Sequence, residues 1–365
     1  MIEPILLSNP VESRGIALIT GATGMIGGEI ACELVKRGWS VLSIVRARDD
    51  REARSRLAQR LSRSGRSGLL ETSRLAALAG DITATDLGLS VEATRAIDLI
   101  VHCAGDTSFK ADDRCWRINV GAAHRLIELA GKMTRPPRLF FVSTASVCTS
   151  RAPGGISEAA EPGGYENGYI RSKRRAEALL VESGLDPVIL RPSIVLSRGI
   201  RNRRMARSVL WVLPVMKALG EVPVDPHSRL DFVPVDYVAD LIGRLIDRER
   251  LRHRCYHLSA GPRSSNTCAE IRDTLCRADA SYHRLRFVGA NSARDRFETS
   301  PDAQSLWAAL DYYLPFINAD AAYSNRRLVE ELGPELPPCP PVTQYLNDLM
   351  GAMNLRAAAR EGLDP

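Results

Sequence analysis

A glycine-rich turn between a predicted strand and a predicted helix constrains the fold of this chain more than any other feature. The apolar run 16–20 leads into T-G-A-T-G-M-I-G-G (20–28), which is followed by an amphipathic helical pattern. Glycines at three-residue spacing permit a tight turn, close approach of the backbone to a pyrophosphate and close packing of the helix. The helix N-terminus adds free N–H groups and the positive end of the helix dipole. The turn therefore predicts a dinucleotide site with contacts from Gly21, Thr23, Gly24, Met25, Ile26 and Gly27.

Short apolar runs alternate with helical patterns through the first half of the chain, as is typical of βαβ units and a parallel sheet. The predicted strands are 16–20, 41–46, 75–79, 99–102, 139–143 and 188–190, and the predicted helices are 25–37, 50–63, 113–132 and 167–183. They predict an α/β fold with a doubly wound, Rossmann-type parallel sheet. After Pro192 an arginine-rich stretch, an apolar segment and a helical run at 236–248 follow. We expect a dinucleotide-binding domain at 1–198 and 230–260, and a smaller, mainly helical substrate lobe at 199–229 and 261–365.

Composition excludes several classes of function. With 45% hydrophobic and 25% charged residues, the 365-residue chain is unlike disordered or fibrous proteins. The apolar stretch 209–216 is far shorter than the roughly 20 residues of a membrane span, and Glu3 stands where a secretory signal carries positive charge. We therefore expect no membrane span and a cytoplasmic location. The net charge of +6 is too small and dispersed for nucleic-acid binding, and it favours an anionic small molecule or an acidic protein as partner.

The cysteines and histidines predict neither disulfides nor a metal site. Eight cysteines include no C-x-x-C pair, and a chain of this size needs no disulfides for stability, so we expect reduced thiols. The segment H-R-C-Y-H (253–257) alternates in a way more typical of a strand than of a metal cluster. We predict no bound metal.

Residues after the second, third and fourth predicted strands indicate which dinucleotide binds. The second strand ends in V-R-A-R (45–48), where dinucleotides with a free ribose 2′-hydroxyl usually meet Asp or Glu. The guanidinium of Arg46 matches a 2′-phosphate, which predicts NADPH. The alternative is a solvated arginine close to Asp49 and Asp50. Asp81 and Ile82 are expected beside the adenine, and Cys103, Ala104 and Gly105 beside the ribose.

Tyr169 and Lys173 form a Tyr-x-x-x-Lys pair on one predicted helix. The chain contains only five lysines, so chance is a poor explanation for this spacing. Residues four apart project from the same face of a helix, and an ammonium beside a phenol lowers the tyrosine pKa. Thr144, at the end of the strand F-F-V-S-T, is placed to bind the same substrate oxygen; Ser143 competes with it, because adjacent strand residues face opposite ways. We predict Thr144, Tyr169 and Lys173 as the catalytic residues.

Together these motifs resemble the extended short-chain dehydrogenase/reductase superfamily. The stretches G-D-I-T-A-T-D-L-G-L-S (80–90), H-C-A-G-D-T-S-F (102–109), N-V-G (119–121), R-P-S-I-V (191–195) and D-F-V-P-V-D-Y-V-A-D (231–240) are similar to its thioester reductase and fatty acyl-CoA reductase branch. The resemblance covers roughly residues 15 to 260. It implies that Thr144 rather than Ser143 binds the substrate oxygen and that Arg46 binds the 2′-phosphate. It further implies cofactor-side roles for Asn119, Tyr169, Lys173, Pro192, Ser193 and Ile194. Gly105 departs from the branch, which commonly has alanine there.

The resemblance implies hydride transfer from NADPH to the carbonyl carbon of an acyl thioester carried by coenzyme A or by an acyl or peptidyl carrier protein. The product would be an aldehyde or a primary alcohol. Arginines at 198, 201, 203, 204 and 207 are expected either to dock an acidic carrier or to form a solvated helix face. Two other functions compete: an extended-family sugar-nucleotide epimerase, dehydratase or ketone reductase, and a catalytically silent NADPH-binding regulator. The oligomeric state is left open.

Overall fold

The computed structural model describes residues 13–109, 111–148, 155–160, 163, 167–197, 209–289 and 301–352. The arginine cluster between 198 and 207 lies outside these residues, so its two interpretations stay predictions.

A parallel sheet forms the centre of the fold. In chain order the strands are β1 (Ile16–Thr20), β2 (Ser40–Val45), β3 (Leu75–Ala79), β4 (Leu99–His102), β5 (Arg138–Val142), β6 (Val188–Pro192), β7 (Ile194–Leu196), β8 (Glu221–Val222), β9 (Arg229–Leu230), β10 (Phe232–Pro234), β11 (Cys255–Leu258), β12 (Asn266–Thr267) and β13 (Arg286–Phe287). Seven of them pair in parallel in the order β11-β6-β5-β4-β1-β2-β3. The others form two-stranded pairs outside this sheet.

Helices cover the sheet and build most of the C-terminal region. They are α1 (Met25–Lys36), α2 (Asp50–Arg63), α3 (Val91–Arg95), α4 (Asp112–Cys115), α5 (Gly121–Gly131), α6 (Gly168–Glu182), α7 (Val212–Leu219), α8 (Val235–Asp247), α9 (Cys268–Ala278), α10 (Pro301–Asp311), α11 (Leu314–Ile317), α12 (Arg326–Leu332) and α13 (Leu346–Ala352). Between α4 and α5 the chain forms one turn of π-helix, Trp116–Val120. The predicted helix at 113–132 therefore contains this wider turn.

The strand order confirms the doubly wound α/β fold. From β1 the chain builds β2 and β3 on one side, then crosses to build β4, β5 and β6 on the other. The reversal leaves a crevice at the carboxyl ends of β1 and β4, where open α/β sheets bind their ligands. The predicted strands agree with the observed ones within two residues, and the H-R-C-Y-H segment contributes the edge strand β11, as predicted.

Apolar side chains form a large cluster on each face of the sheet and a further one in the C-terminal region. The C-terminal cluster contains Trp211, Val215, Ile271, Leu275 and Leu346. Helix α12 instead sends Leu328 and Leu332 into the core of the sheet. The domain boundaries expected from the sequence stay a prediction.

No helix in the described part of the chain has the length and apolarity to cross a membrane. Nor does any group of three His, Cys, Asp or Glu side chains among the described residues have an arrangement that could hold a metal ion.

Candidate active site

The glycine turn after β1 brings three backbone segments into contact. Gly21 has φ of +79°, and a Cβ built on it would lie 2.7 Å from the amide nitrogen of Ala104. A Cβ on Gly27 would lie 2.4 Å from the carbonyl oxygen of Gly21. Both contacts are shorter than carbon atoms allow, so the turn requires glycine at these positions. Helix α1 begins at Met25, directly after the turn.

Thr20 holds the loop after β4 against the glycine turn. Its hydroxyl oxygen accepts hydrogen bonds from the backbone N–H groups of Cys103 and Ala104, both at 3.2 Å, and contacts Nδ1 of His102 at 2.8 Å. Burial lowers the pKa of His102 to about 3 and raises the pKa of the Cys103 thiol to about 11. Both side chains are therefore neutral at physiological pH.

Arg60 supports the turn from helix α2, and sequence reasoning missed it. The buried guanidinium donates from Nε to the carbonyl oxygen of Gly24 (2.9 Å) and from Nη2 to that of Met25 (3.0 Å). Nη2 also pairs with Glu29 at 3.1 Å. Helix α2 is thereby tied to the first turn of α1. In a chain this rich in arginine, no local pattern distinguishes Arg60 from its neighbours.

A cavity of about 620 Å³ lies at the carboxyl ends of the first four strands. Its lining includes nine residues predicted to bind the cofactor, namely Gly21, Thr23, Gly24, Arg46, Asp81, Ile82, Cys103, Ala104 and Gly105. It also includes seven that were not predicted, namely Ile44, Arg56, Gly80, Thr83, Asp106, Arg117 and Ile118. The predicted residues Met25, Ile26 and Gly27 form the first turn of α1 instead. The cavity, its glycine wall and its cations fit a phosphate-bearing dinucleotide.

Two arginines follow β2, but they differ in their partners. Arg48 is 89% exposed and pairs with Glu52 at 2.9 Å. Arg46 lines the cavity, and in the described part of the chain it makes no salt bridge. Arg56 also lines the cavity and donates to the carbonyl oxygen of Arg46. Two guanidinium groups thus face the cavity at the end of β2.

The acidic neighbours of Arg46 are engaged elsewhere. Asp49 caps helix α2 by accepting from the N–H of Glu52 at 2.8 Å, and Asp50 accepts from the N–H of Ala79 at 2.9 Å. Asp81 accepts from both the N–H and the hydroxyl of Thr83, which lowers the pKa of its carboxyl group. The ionised Asp81 stays at the cavity wall after β3.

The three predicted catalytic residues meet at the carboxyl end of β5. Asn167 caps α6 by accepting from the N–H of Ile170 at 2.8 Å, which places Tyr169 in the first turn. The side chain of Thr144 lies beside the phenol of Tyr169. One turn further along α6, Nζ of Lys173 donates to the carbonyl oxygen of Val142 at 2.7 Å.

Thr144, not Ser143, shares a cavity with Tyr169. Thr144 and Tyr169 both line a second cavity of about 230 Å³. The hydroxyl of Ser143 is buried and makes no hydrogen bond within the described residues. Strand alternation sends these neighbours in opposite directions.

Burial controls the ionisation of Tyr169 and Lys173. It raises the pKa of Tyr169, with the neighbouring Thr144 side chain acting in the opposite direction. It also lowers the pKa of Lys173 to about 8. The expectation that the ammonium would lower the tyrosine pKa is therefore wrong for this structure: desolvation of the phenolate is the larger effect, and Nζ is directed to the carbonyl of Val142. Tyr169 is a neutral phenol, hence a hydrogen-bond donor.

Asn119 joins the loop after β4 to helix α6. Its Oδ1 accepts from the N–H of Asp106 at 2.8 Å, and its Nδ2 donates to the carbonyl oxygen of Asp106 and to Oγ of Ser172, both at 2.9 Å. A Cβ on Gly105 would lie 2.7 Å from the same Oδ1, which accounts for glycine at this position. Asn119 belongs to the π-turn, a feature frequent at functional sites.

The segment after β6 reaches the second cavity. Pro192 ends β6, and Ser193 and Ile194 line the cavity beside Tyr169. Oγ of Ser193 donates to Oδ1 of Asp231 at 2.6 Å. Burial raises the pKa of Asp231 to about 6. Asp231, which sequence reasoning did not single out as a site residue, fixes the direction of the Ser193 hydroxyl.

A buried ion pair fixes α6 against β6. Nη2 and Nε of Arg191 contact Oε2 and Oε1 of Glu177 at 2.6 and 3.1 Å. Glu177 stands one turn after Lys173 on the same helix. The pair therefore helps to position α6 relative to the sheet. The sequence analysis did not identify it.

Comparison with known proteins assigns the family. A model of an NAD-binding family described as male sterility protein matches residues 19–242. The chain belongs to this family. The match confirms the resemblance to the extended short-chain dehydrogenase/reductases of the thioester reductase and fatty acyl-CoA reductase branch, and with it an NAD(P)-binding domain.

Curated relatives of this family member are much longer proteins. The chain is 29% identical over 308 residues to the hybrid PKS-NRPS synthetase LUC5 of Fusarium sp, covering 76% of this chain and 7% of that protein. It is 28% identical over 293 residues to the carboxylic acid reductase of Mycobacterium tuberculosis, covering 69% and 25%. The chain thus spans a quarter or less of the length of these two relatives.

A solved structure agrees with the fold. The crystal structure of the terminal R domain from the myxalamid PKS-NRPS biosynthetic pathway superimposes with a TM-score of 0.77 at 24% identity. The superposition covers 93% of this chain and 91% of that chain.

Replacing Gly27 with alanine tests the glycine turn. We expect Gly27→Ala to raise the dissociation constant for NADPH about tenfold or more, because the new Cβ displaces the Gly21 carbonyl and opens the turn. Gly131→Ala is the matched control, since no atom lies within 4 Å of its added Cβ. Fluorescence titration measures both constants. An unchanged dissociation constant in a folded Gly27→Ala variant would contradict the prediction that this turn binds the dinucleotide.

The lowered pKa of Lys173 predicts a stability change at alkaline pH. Below pH 8 the lysine is charged in both states, and the folded state carries the cost of burying it. Between pH 8 and 10.5 the folded state loses the proton first, so the unfolding free energy of the wild type rises relative to Lys173→Met. The rise is at most about 3 kcal/mol. Urea denaturation at several pH values measures it, and a constant difference would refute the assignment.

Proposed function

We propose that this chain reduces acyl thioesters with NADPH and releases an aldehyde or a primary alcohol. The observation that carries the proposal is that Thr144 and Tyr169 line one cavity together, beside the predicted dinucleotide site. The loop after β4 lines both cavities, with Asp106 in one and Thr107 in the other. The similarity to a carboxylic acid reductase and to a hybrid PKS-NRPS synthetase supports reductive chemistry on carrier-bound acyl groups.

In this proposal NADPH supplies a hydride to the carbonyl carbon of the thioester. Tyr169 and Thr144 bind the carbonyl oxygen and stabilise the negative charge that develops on it. A neutral phenol suits this role, because it donates a hydrogen bond and then its proton. The resulting hemithioacetal breaks its C–S bond, giving an aldehyde and the free carrier thiol. As the C–S bond breaks, the hydroxyl proton of the hemithioacetal returns to Tyr169, and the thiolate takes a proton from solvent. Reduction of the aldehyde to the alcohol would use the hydride of a second NADPH, with Tyr169 again donating the proton.

The remaining residues of the site position the reactants. Lys173 is proposed to bind the nicotinamide ribose, and Ser193 and Ile194 the region of the carboxamide. Asn119 holds the loop that separates the two cavities. The acyl group arrives on coenzyme A or on the phosphopantetheine of a carrier protein, both of which are anionic.

We propose NADPH rather than NADH because of Arg46. Its guanidinium lines the cavity after β2, the place where a ribose 2′-phosphate would require a cation. Arg56 contributes a second positive charge at the same end of the cavity.

A product assay tests the proposed reaction. The enzyme is incubated with NADPH and a panel of acyl thioesters on coenzyme A and on a carrier protein, and mass spectrometry identifies the products. We expect each thioester molecule to release one free thiol as the first NADPH is oxidised, with formation of an aldehyde. Formation of an alcohol would consume a second NADPH. Tightly bound NAD without thioester turnover would contradict the proposal and support an epimerase.

Replacing Tyr169 with phenylalanine removes only the phenolic hydroxyl, so it separates the role of this group in hydride transfer from cofactor binding. We expect Tyr169→Phe to lower kcat at least about a hundredfold, because the oxyanion loses its donor. The dissociation constant for NADPH should stay unchanged, since the ring remains in place. Stopped-flow absorbance and fluorescence titration measure the two quantities. Persisting turnover would remove Tyr169 from the mechanism.

Arg46 and Arg48 form a matched pair for testing cofactor choice. We expect Arg46→Ala to weaken NADPH binding by about ten- to hundredfold, the value of one or two hydrogen bonds to a charged group, with NADH binding unchanged. Arg48→Ala should leave both constants unchanged, because Arg48 is not among the residues that line the cavity and its side chain pairs with Glu52. Equal loss in the two variants, or loss for NADH as well, would contradict the assignment of Arg46.

A further inference from the structure

Aromatic rings line much of the cavity onto which Thr144 and Tyr169 open. The whole chain contains only 7 phenylalanines, 9 tyrosines and 4 tryptophans. Five of these lie around this one cavity of about 230 Å³, namely Phe109, Tyr169, Trp211, Tyr313 and Phe316. We call them the aromatic wall. Such a concentration is high for a chain in which aromatic residues make up 5% of the sequence.

The rings of the wall pack against one another in stacked and edge-on pairs. The ring of Phe109 lies nearly parallel to those of Tyr169 and Tyr313, with centroids 5.8 and 5.2 Å apart and interplanar angles of 20° and 21°. Phe316 meets Phe109 edge-on, at 6.0 Å and 73°, and Trp211 meets Tyr313 edge-on, at 5.2 Å and 83°. Offset-stacked and edge-on arrangements are the favourable geometries for aromatic groups.

Contacts from distant parts of the chain hold the wall in place. Phe109 belongs to the loop after β4, whereas Tyr313 and Phe316 belong to the segment around α11. The hydroxyl of Tyr312 donates to the carbonyl oxygen of Phe109 and links the two segments. Trp211 and Phe316 are only 6% and 8% exposed. The wall therefore has a fixed shape.

Among the described residues, the rest of the cavity lining is uncharged. Its other lining residues within the described chain are Thr107, Thr144, Ser146, Ser193, Ile194 and Val195. A charged acyl group would lose its hydration here without gaining an ionic partner. The uncharged lining thus favours an uncharged acyl group, and the five aromatic residues in it favour a flat, aromatic one.

We infer that the acyl group reduced at this site carries an aromatic ring close to the thioester carbonyl. This inference rests on the proposed thioester reduction and specifies its substrate class. The carbonyl oxygen binds between Thr144 and Tyr169, and the ring of the substrate packs against the aromatic wall. A saturated ring of the same carbon number fills similar space but lacks the favourable ring-to-ring contacts.

A matched pair of substrates tests the inference. Phenylacetyl-CoA and cyclohexylacetyl-CoA have the same carbon skeleton, and in neither is the ring conjugated with the carbonyl group, so their intrinsic reactivities are similar. We expect kcat/KM of the wild type to favour the phenyl compound about three- to tenfold. Phe109→Leu and Tyr313→Leu should bring this ratio close to one, and Tyr313→Phe, which keeps the ring, should retain it.

The ratio of the two kcat/KM values does not depend on how much of each variant is folded, because both substrates are measured on the same preparation. Reduction of both thioesters at equal efficiency by the wild type would overturn the inference and leave the proposed function standing. A phenyl preference that survives both leucine substitutions would also overturn it, since the preference would then arise elsewhere. Both acyl groups are also supplied on the phosphopantetheine of a carrier protein. Reduction of neither acyl group on either carrier, by protein that binds NADPH, would overturn the proposed function, and the inference with it.

Discussion

A buried ammonium at the carboxyl end of β5 is the interaction on which the site depends. Nζ of Lys173 donates to the carbonyl oxygen of Val142 and lies 4.3 Å from the ring centroid of Phe141. These contacts offset only part of the cost of burial, because the lysine pKa still falls to about 8. The same contacts hold α6 over the end of β5, and this position brings Tyr169 to Thr144. Local stability is thus reduced at the residue that is proposed to bind the nicotinamide ribose.

The sheet topology explains why two cavities meet at this point. The chain reverses direction across the sheet between β1 and β4, so that loops from both halves surround one crevice. Thr20 connects the loop after β4 to the glycine turn, and Asn119 connects the same loop to α6. That loop continues to Phe109, which enters the aromatic wall. One connection therefore shapes both the predicted dinucleotide site and the acyl site.

Sequence patterns predicted local features well and long-range partners poorly. The strands and helices follow from hydrophobic periodicity, and the glycine turn and the Tyr-x-x-x-Lys pair from spacing within one element. Arg60, Glu177 and Asp231 were missed as site residues because their partners lie 14 to 38 residues away in sequence. The tyrosine pKa was misjudged for a related reason: spacing locates the nearby ammonium, whereas burial depends on the whole fold. Periodicity also left Ser143 and Thr144 as alternatives, which the side-chain directions in the structure distinguish.

Isotope tracing tests the central claim most directly. NADPH carrying deuterium at the transferable position of its nicotinamide ring is supplied together with an acyl thioester, and the products are analysed by mass spectrometry. The account predicts one deuterium on the carbonyl carbon of a released aldehyde, or two on that carbon of a released alcohol, together with one free thiol. A released carboxylic acid without deuterium, formed while NADPH remains unoxidised, would show hydrolysis instead and would contradict the account.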